Sequence, residues 1–387
     1  MLLDLFFSIT GLLLLFVFFY LFILAFAALV PEKETRDFPP EIKFLIVIPA
    51  HNEAESIGQT LKNLEKVNYP KKLWEVIVIA DYCTDNTVEV VKNLDVPYLE
   101  HMKKDRKGKG HVLSWAFRRL LSLGEHDAFI VIDADTHIKE DFLTVMNRRL
   151  LSGEKVIQAY SQVRHPESSP LESLAFLGFA LNRNLRYKGR SRLGWQANLM
   201  GTGMCFSRDV IERFGWPALS MVEDLEFTMF LKLHGIRVTF AQDAKATVEL
   251  HRNLRDSRGQ RLRWDMGKFQ IRDKYLPLLL KQFWITRDLS YLDTVMELLL
   301  PPYSIFFFTV CALFVLFLIL DFKGLDMLFW LWVGVMACLL VYTVMGLVTA
   351  KANLQVYRNL IYAPFFIIWR WWILLMEHFK IHRKDSW

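Results

Sequence analysis

Asp133 and Asp135 stand two residues apart, directly after the apolar run Ala128–Ile132. If the extended chain continues through them, both carboxylates point to one face and can share a divalent cation. Mg²⁺ takes one or two carboxylates plus substrate phosphates rather than an all-protein cage, so two acids suffice. A lone pair of this kind is a weak motif. Two more acidic clusters end similar runs: Pro49-Ala-His-Asn-Glu53 follows Phe44–Ile48, and Asp81-Tyr-Cys-Thr-Asp85 follows Glu75–Ala80. Each alone is explained by turn chemistry or by helix capping through Asn52 and Asp85. Their joint placement favours a site.

Further along, Glu223-Asp224 opens the helical-looking stretch that ends near Gly235. Acids are favourable in a first helical turn, and a placed carboxylate can also serve as a general base; the residues favour neither reading. In Gln260-Arg-Leu-Arg-Trp264, the residues Gln260, Arg263 and Trp264 share one helix face. That face offers an amide, a fixed cation and a flat indole, suited to a diphosphate and a sugar ring. An amphipathic helix on a membrane surface would use the same residues. The basic segment 103–111 holds Lys107 and Lys109 on either side of Gly108, with Gly110 following. It lacks the Gly-Lys-Ser/Thr of a P-loop, and reads equally as a diphosphate-binding loop or a solvated turn.

The elements that must position these groups alternate. Short apolar strands at 44–48, 75–80 and 128–132 are separated by helix-compatible stretches at 53–66, 85–94 and 111–123. That order predicts βαβ units and a mostly parallel sheet, with ligands beyond the carboxyl ends of the strands. All three acidic clusters follow strands directly.

Both ends of the 387-residue chain are apolar. The uncharged run Leu5–Val30 is long enough to cross a bilayer, and too long for the core of a signal peptide. Residues 298–320 and 327–350 predict an antiparallel helix hairpin joined by a short link. The stretch 359–377 contains Pro364, Arg370 and three tryptophans, and either spans or lies in the headgroup region. Between them the sequence predicts a linker at 31–42, a catalytic-type domain at 43–272 and an amphipathic region at 273–297. Lys351, Arg358, Lys380, Arg383 and Lys384 place the central domain on the cytosolic side. Four scattered cysteines form neither a disulfide framework nor a zinc motif. The net charge of +6 comes without a nucleic-acid module, so no nucleic-acid partner is expected.

Taken together, these residues resemble the inverting family 2 glycosyltransferases, and most of all the membrane-integrated cellulose, chitin-oligosaccharide, hyaluronan and poly-N-acetylglucosamine synthases. The motifs carrying the resemblance are Val47-Ile-Pro-Ala-His-Asn-Glu53, the Asp81 loop, Asp133-Ala-Asp135, Glu223-Asp224 and Gln260-Arg-Leu-Arg-Trp264, in family order over about 43–264. The resemblance implies an α/β GT-A fold, Rossmann-like and mostly parallel, between membrane helices. It implies that Pro49, Asn52, Glu53 and Asp81 contact a nucleotide-sugar donor, with Lys107, Lys109 and Asp133 near its diphosphate. Asp133 and Asp135 would hold Mg²⁺ or Mn²⁺, Asp224 would be the base with Glu223 beside it, and Gln260, Arg263, Trp264 and Gly203 would frame acceptor and diphosphate. Where the family usually has Thr before Glu-Asp, this chain has Val222. The implied activity moves a sugar from a UDP-type donor to a growing polysaccharide at the cytosolic face, with an accessory membrane subunit as a further expectation. A lipid acceptor taking one sugar is the alternative, and an inactive scaffold or transport subunit the second.

Overall fold

The computed structural model describes residues 2–32, 36–102, 108–122, 124–248, 254–321, 323–362 and 364–365, without the side chains of 254–262. Eight strands form one mixed sheet: β1 (Phe44–Ala50), β2 (Trp74–Asp81), β3 (Tyr98–His101), β4 (Ala128–Val131), β5 (Thr136–Ile138), β6 (Val156–Val163), β7 (Met204–Ser207) and β8 (Val238–Val248). Their spatial order is β3-β2-β1-β4-β7-β6-β8-β5. The pairs β1–β2, β1–β4, β2–β3 and β6–β8 are parallel; β7 runs antiparallel to both neighbours, and β5 to β8. The first three expected strands therefore lie side by side, and their carboxyl ends form one rim.

Nearly continuous apolar sequence puts β1 and β4 at the centre, covered on both faces. One face packs Ile46, Ile48, Ile130 and Phe142; the other packs Val47, Val131, Phe117 and Phe227. Each such fully buried side chain contributes about 1.5–3 kcal/mol relative to exposure.

Among the described residues, three helices are long and apolar enough to cross a membrane: Leu2–Leu29, Tyr303–Leu320 and Met327–Thr349. Phe7, Phe18 and Leu21 of the first pack against Phe317, Trp332, Leu339 and Tyr342 of the others. Leu12, Leu13, Phe16 and Phe19 point outward, an apolar face suited to lipid. Gly189 of the helix Lys188–Arg192 sits so close to the Leu24 carbonyl that no side chain fits there.

Several expected boundaries shift. The second span begins at Tyr303 rather than 298, because Pro301-Pro302 ends the preceding helix Leu289–Leu299. The region read as 273–297 divides between that helix and the long helix Leu254–Thr286, which carries Pro277. Lys109 opens the helix Lys109–Leu120 instead of lying in a loop. Asn52 caps no helix. It adopts φ +57° and its Oδ1 accepts from the amides of Thr84, at 2.7 Å, and Asp85, at 3.3 Å, tying two rim loops together. Lys107 and most of 359–377 lie outside the described residues, as does the side chain of Gln260.

Candidate active site

The turn after β4 sets the acidic pair. Asp133 to Asp135 are not extended: the Thr136 amide donates to the Asp133 carbonyl at 3.0 Å, closing a β-turn. The Asp133 amide donates to Thr202 Oγ1 at 3.0 Å, and Thr202 Oγ1 reaches Thr136 Oγ1 at 3.0 Å. Both carboxylates still line one cavity, because the turn is pinned from β7's side by that hydroxyl. Thr202 was not expected as a positioning residue. Its signal in sequence is only its place between Gly201 and Gly203.

The cavity has a volume of about 610 Å³ and is shared by Lys109, Asp133, Asp135, Glu223, Asp224, Arg263 and Trp264. Lys109 Nζ is paired with Asp133 and donates to the Gly201 carbonyl at 2.7 Å. Gly201 is in the left-handed region at φ +78°, and a Cβ there would stand 3.5 Å from Asp224 Oδ2. Gly203 packs behind the site, where its Cβ would meet Ala159 at 3.0 Å. It lies away from the cavity lining.

Glu223 and Asp224 begin the helix Glu223–Leu233. A helix N-terminus favours carboxylates, but burial wins here. Burial pushes Asp224 up to about 6; the Leu225 amide and Lys109 oppose the rise, and Asp133 adds to it. Burial and then the neighbouring Asp224 push Glu223 up to about 7, against Lys109. A carboxylate in that range can take a proton near neutral pH.

Glu226, one turn further on, holds the approach loop: its Oε2 accepts from the amides of Leu219 at 3.0 Å and Ser220 at 2.9 Å. Its other oxygen accepts from Lys274 Nζ at 2.6 Å, joining this helix to the one that presents Arg263 and Trp264. Sequence gave no reason to separate Glu226 from an ordinary first-turn acid. Val222 is buried and packs against Gly267 of the same long helix, so an apolar side chain there seals the joint between the two helices. Arg263 and Trp264 are exposed at the cavity mouth.

On the other side of the rim, Asp81 Oδ1 pairs with His101 Nδ1 at 2.8 Å, and the Asp81 carbonyl meets His51 Nδ1 at 2.6 Å. Glu53 accepts from Ser56 Oγ at 2.6 Å, and Pro49 pairs in register with Ile79. Pro49, Asn52, Glu53 and Asp81 lie outside the cavity lining, on the β1–β2 flank; Glu53 is near enough for its charge to reach Asp135.

The donor set suits a hard divalent cation. Burial, then the charges of Asp133 and Glu53, push Asp135 up to about 7, so an uncompensated acid waits beside a second one. Among the described residues no cluster of three or more protein ligands exists. Two carboxylates, with the rest supplied by phosphate and water, is the arrangement Mg²⁺ or Mn²⁺ tolerates.

The model of the glycosyltransferase-like family 2 matches residues 39–267. A probable glycosyltransferase of Bacillus subtilis is 27% identical over 72% of this chain and 67% of its own length. The poly-beta-1,6-N-acetyl-D-glucosamine synthase of Staphylococcus aureus is 24% identical over 62% of this chain. This chain spans 58% of that synthase, somewhat over half. Among solved structures, a mannosyltransferase from Pyrobaculum calidifontis, in complex with GDP-Man and Mn²⁺, superposes with TM-score 0.58 at 17% identity. The match covers 88% of this chain and 99% of that one, and gives the fold as GT-A. With the family model covering more than half of the sequence, the chain belongs to the family 2 glycosyltransferases.

Proposed function

We propose that this chain is an inverting transferase that moves a sugar from a nucleoside-diphosphate donor, of the UDP type, to an acceptor approaching from the membrane side. The cytosolic face of a membrane is the site of reaction, and a growing polysaccharide is the product. The observation that carries the reading is the position of Asp224, partly buried in one cavity with Asp133, Asp135, Arg263 and Trp264.

In this reading the acceptor hydroxyl gives its proton to Asp224 as its oxygen bonds to the anomeric carbon. The bond from that carbon to the diphosphate breaks, and the nucleoside diphosphate leaves with the electron pair. One displacement inverts the configuration. Asp133 and Asp135 would hold a divalent metal, which when bound neutralises charge on the diphosphate. Lys109 and Arg263 add fixed positive charge on the same side. Trp264 offers its exposed ring as a platform for the acceptor sugar. Asp81 and Glu53, with the Asn52-tied loops, flank the nucleotide. The synthase relatives and the Arg263-Trp264 pair support polymer formation. A lipid acceptor is the second reading, favoured by a cavity that continues to the helices packed against the apolar spans.

Incubating membranes that contain the full chain with radiolabelled UDP-sugars, then sizing the product, tests both. A ladder of lengths supports the polymer; a product bearing one sugar sinks it. No transfer from any nucleotide sugar would remove the transferase reading altogether.

A further inference from the structure

Beyond Asp224 the cavity runs between the catalytic domain and the helices that approach the membrane, where Phe179, Arg183, Tyr187, Lys268 and Glu297 line it. None of these has a part in the proposed reaction, and among them Arg183 is the cation whose donors are left open. It is 6% exposed, and its Nε and Nη1 have no hydrogen-bond partner among the described residues. The guanidinium lies over the Phe179 ring, 3.6 Å from its centroid, which gives attraction but no countercharge. Burial pushes it down to about 10, opposed by the phenols of Tyr160 and Tyr187.

Its neighbours are matched. Arg186 pairs with Glu297, and Arg190 with Asp293 at 2.9 Å and Glu297 at 2.7 Å. Those two carboxylates are therefore engaged. Lys268 Nζ donates to the Leu300 carbonyl at 2.7 Å, while Ser161 Oγ, buried on the same cavity wall, has no partner among the described residues. A buried cation without an anion carries a desolvation cost that a structural role would not select. The backbone is unusual as well: Leu181–Tyr187, which presents Arg183, is π-helical, a rare form concentrated at functional sites.

We propose that Arg183, with Ser161 and Lys268 on the same cavity wall, seats a phosphate group carried by a membrane-lipid acceptor. This rests on the second, lipid-acceptor reading of the cavity rather than the polysaccharide one, and names the group such an acceptor carries. A guanidinium offers a planar fork of donors matched to phosphate oxygens. The lipid source follows from placement. Leu181 and Leu185 of the π-helical segment pack with Phe18 and Leu21 of the first apolar helix and with Tyr342 of the third. A phosphate at Arg183 thus lies where an attached hydrocarbon chain has apolar helices beside it. Free phosphate would gain nothing from that wall.

The test uses the purified full chain in uncharged detergent. Binding of farnesyl phosphate, farnesol and inorganic phosphate is measured by calorimetry and thermal shift in wild type, Arg183→Gln, Arg183→Lys and Arg183→Met. Farnesyl phosphate binds wild type, farnesol does not, and Arg183→Gln weakens the phosphate by about 10–100-fold, with partial recovery in Arg183→Lys. Without ligand, Arg183→Met melts at or above the wild-type temperature, because an unpaired buried charge has gone. A lower melting temperature with farnesyl phosphate binding unchanged assigns Arg183 a structural role and overturns the proposal. Equal binding of inorganic phosphate overturns the lipid source. UDP and GDP binding is followed in the same samples. Nucleotide bound by every variant, with farnesyl phosphate insensitive to Arg183, defeats this inference alone. Absence of nucleotide binding in wild type strikes the transferase reading instead.

Discussion

Lys274 Nζ donates to Glu226 Oε1 at 2.6 Å, and through this contact the helix that opens with Glu223-Asp224 is fastened to the helix that presents Arg263 and Trp264. The proposed base and the proposed acceptor platform are thereby held by one joint. Removing Glu226 also takes the acceptor from the Leu219 and Ser220 amides, at about 0.5–1.5 kcal/mol for each hydrogen bond lost. Glu226→Ala is therefore expected to lower the melting temperature and kcat together. Lys274 is largely exposed, so Lys274→Ala should cost only about 0–1 kcal/mol in stability. Thermal melts beside steady-state rates check the pair. Equal melts for Glu226→Ala and wild type would remove the joint from the account.

Asp224→Asn keeps the shape of the side chain and removes the proposed base. We expect kcat to fall by about 10²–10⁴-fold while UDP affinity stays within a factor of a few. Isothermal titration and initial rates on one preparation separate the two. Full turnover in the amide variant would transfer the base role away from Asp224.

The pH dependence follows from the same carboxylates. A general base works deprotonated, and burial raises Asp224 to about 6 and Glu223 to about 7. The rate should thus rise with pH across about 6 to 7 and then level; below 6 the protonated pair no longer accepts the acceptor's proton. The limb belongs to the pair, since the two acids interact. A flat kcat/KM profile between pH 5 and pH 8, at saturating metal, would contradict it.

Chelation provides a fourth check. EDTA should abolish transfer, with Mg²⁺ or Mn²⁺ restoring it, and Asp133→Ala or Asp135→Asn should raise the metal concentration needed for half-maximal rate. Activity that survives exhaustive chelation would leave Asp133 and Asp135 without their assigned task.

Gly189→Ala probes the seam with the first apolar helix. A methyl group there would overlap the Leu24 carbonyl, so the helices must part, at about 1–3 kcal/mol. A reduced melting temperature in detergent is the expected reading, and an unchanged one would mean that the seam yields freely.

Much of this was legible in the sequence, for identifiable reasons. Strands such as Phe44–Ala50 are buried on both faces, so their apolar runs stand out, and whatever follows them must lie at the rim. The turn at Asp133 was not legible. Whether two acids after a strand continue extended or fold back depends on Thr136 and Thr202 hydroxyls, one of them brought from 66 residues away. Glu226 was hidden by resembling any acid in a first helical turn. The onset of the second span could have been read from Pro301-Pro302, whose rings end one helix and open the next. Arg183 gave no local sign, because the lack of a carboxylate partner exists only after the chain has folded.

The Tyr20 hydroxyl donates to Asp293 at 2.7 Å, and Arg190 Nη2 donates to that same hydroxyl at 3.0 Å. In sequence these partners are far apart: 273 residues separate Tyr20 from Asp293. At the usual pace of synthesis, about 5–20 residues per second, that interval lasts roughly 14–55 s. Over its last 103 residues Arg190 has been made and still awaits Asp293, with Glu297 following. The seam between membrane helix and catalytic domain is thus among the last parts of the molecule to close, and the growing chain must keep three arginines solvated until the acids that match two of them arrive.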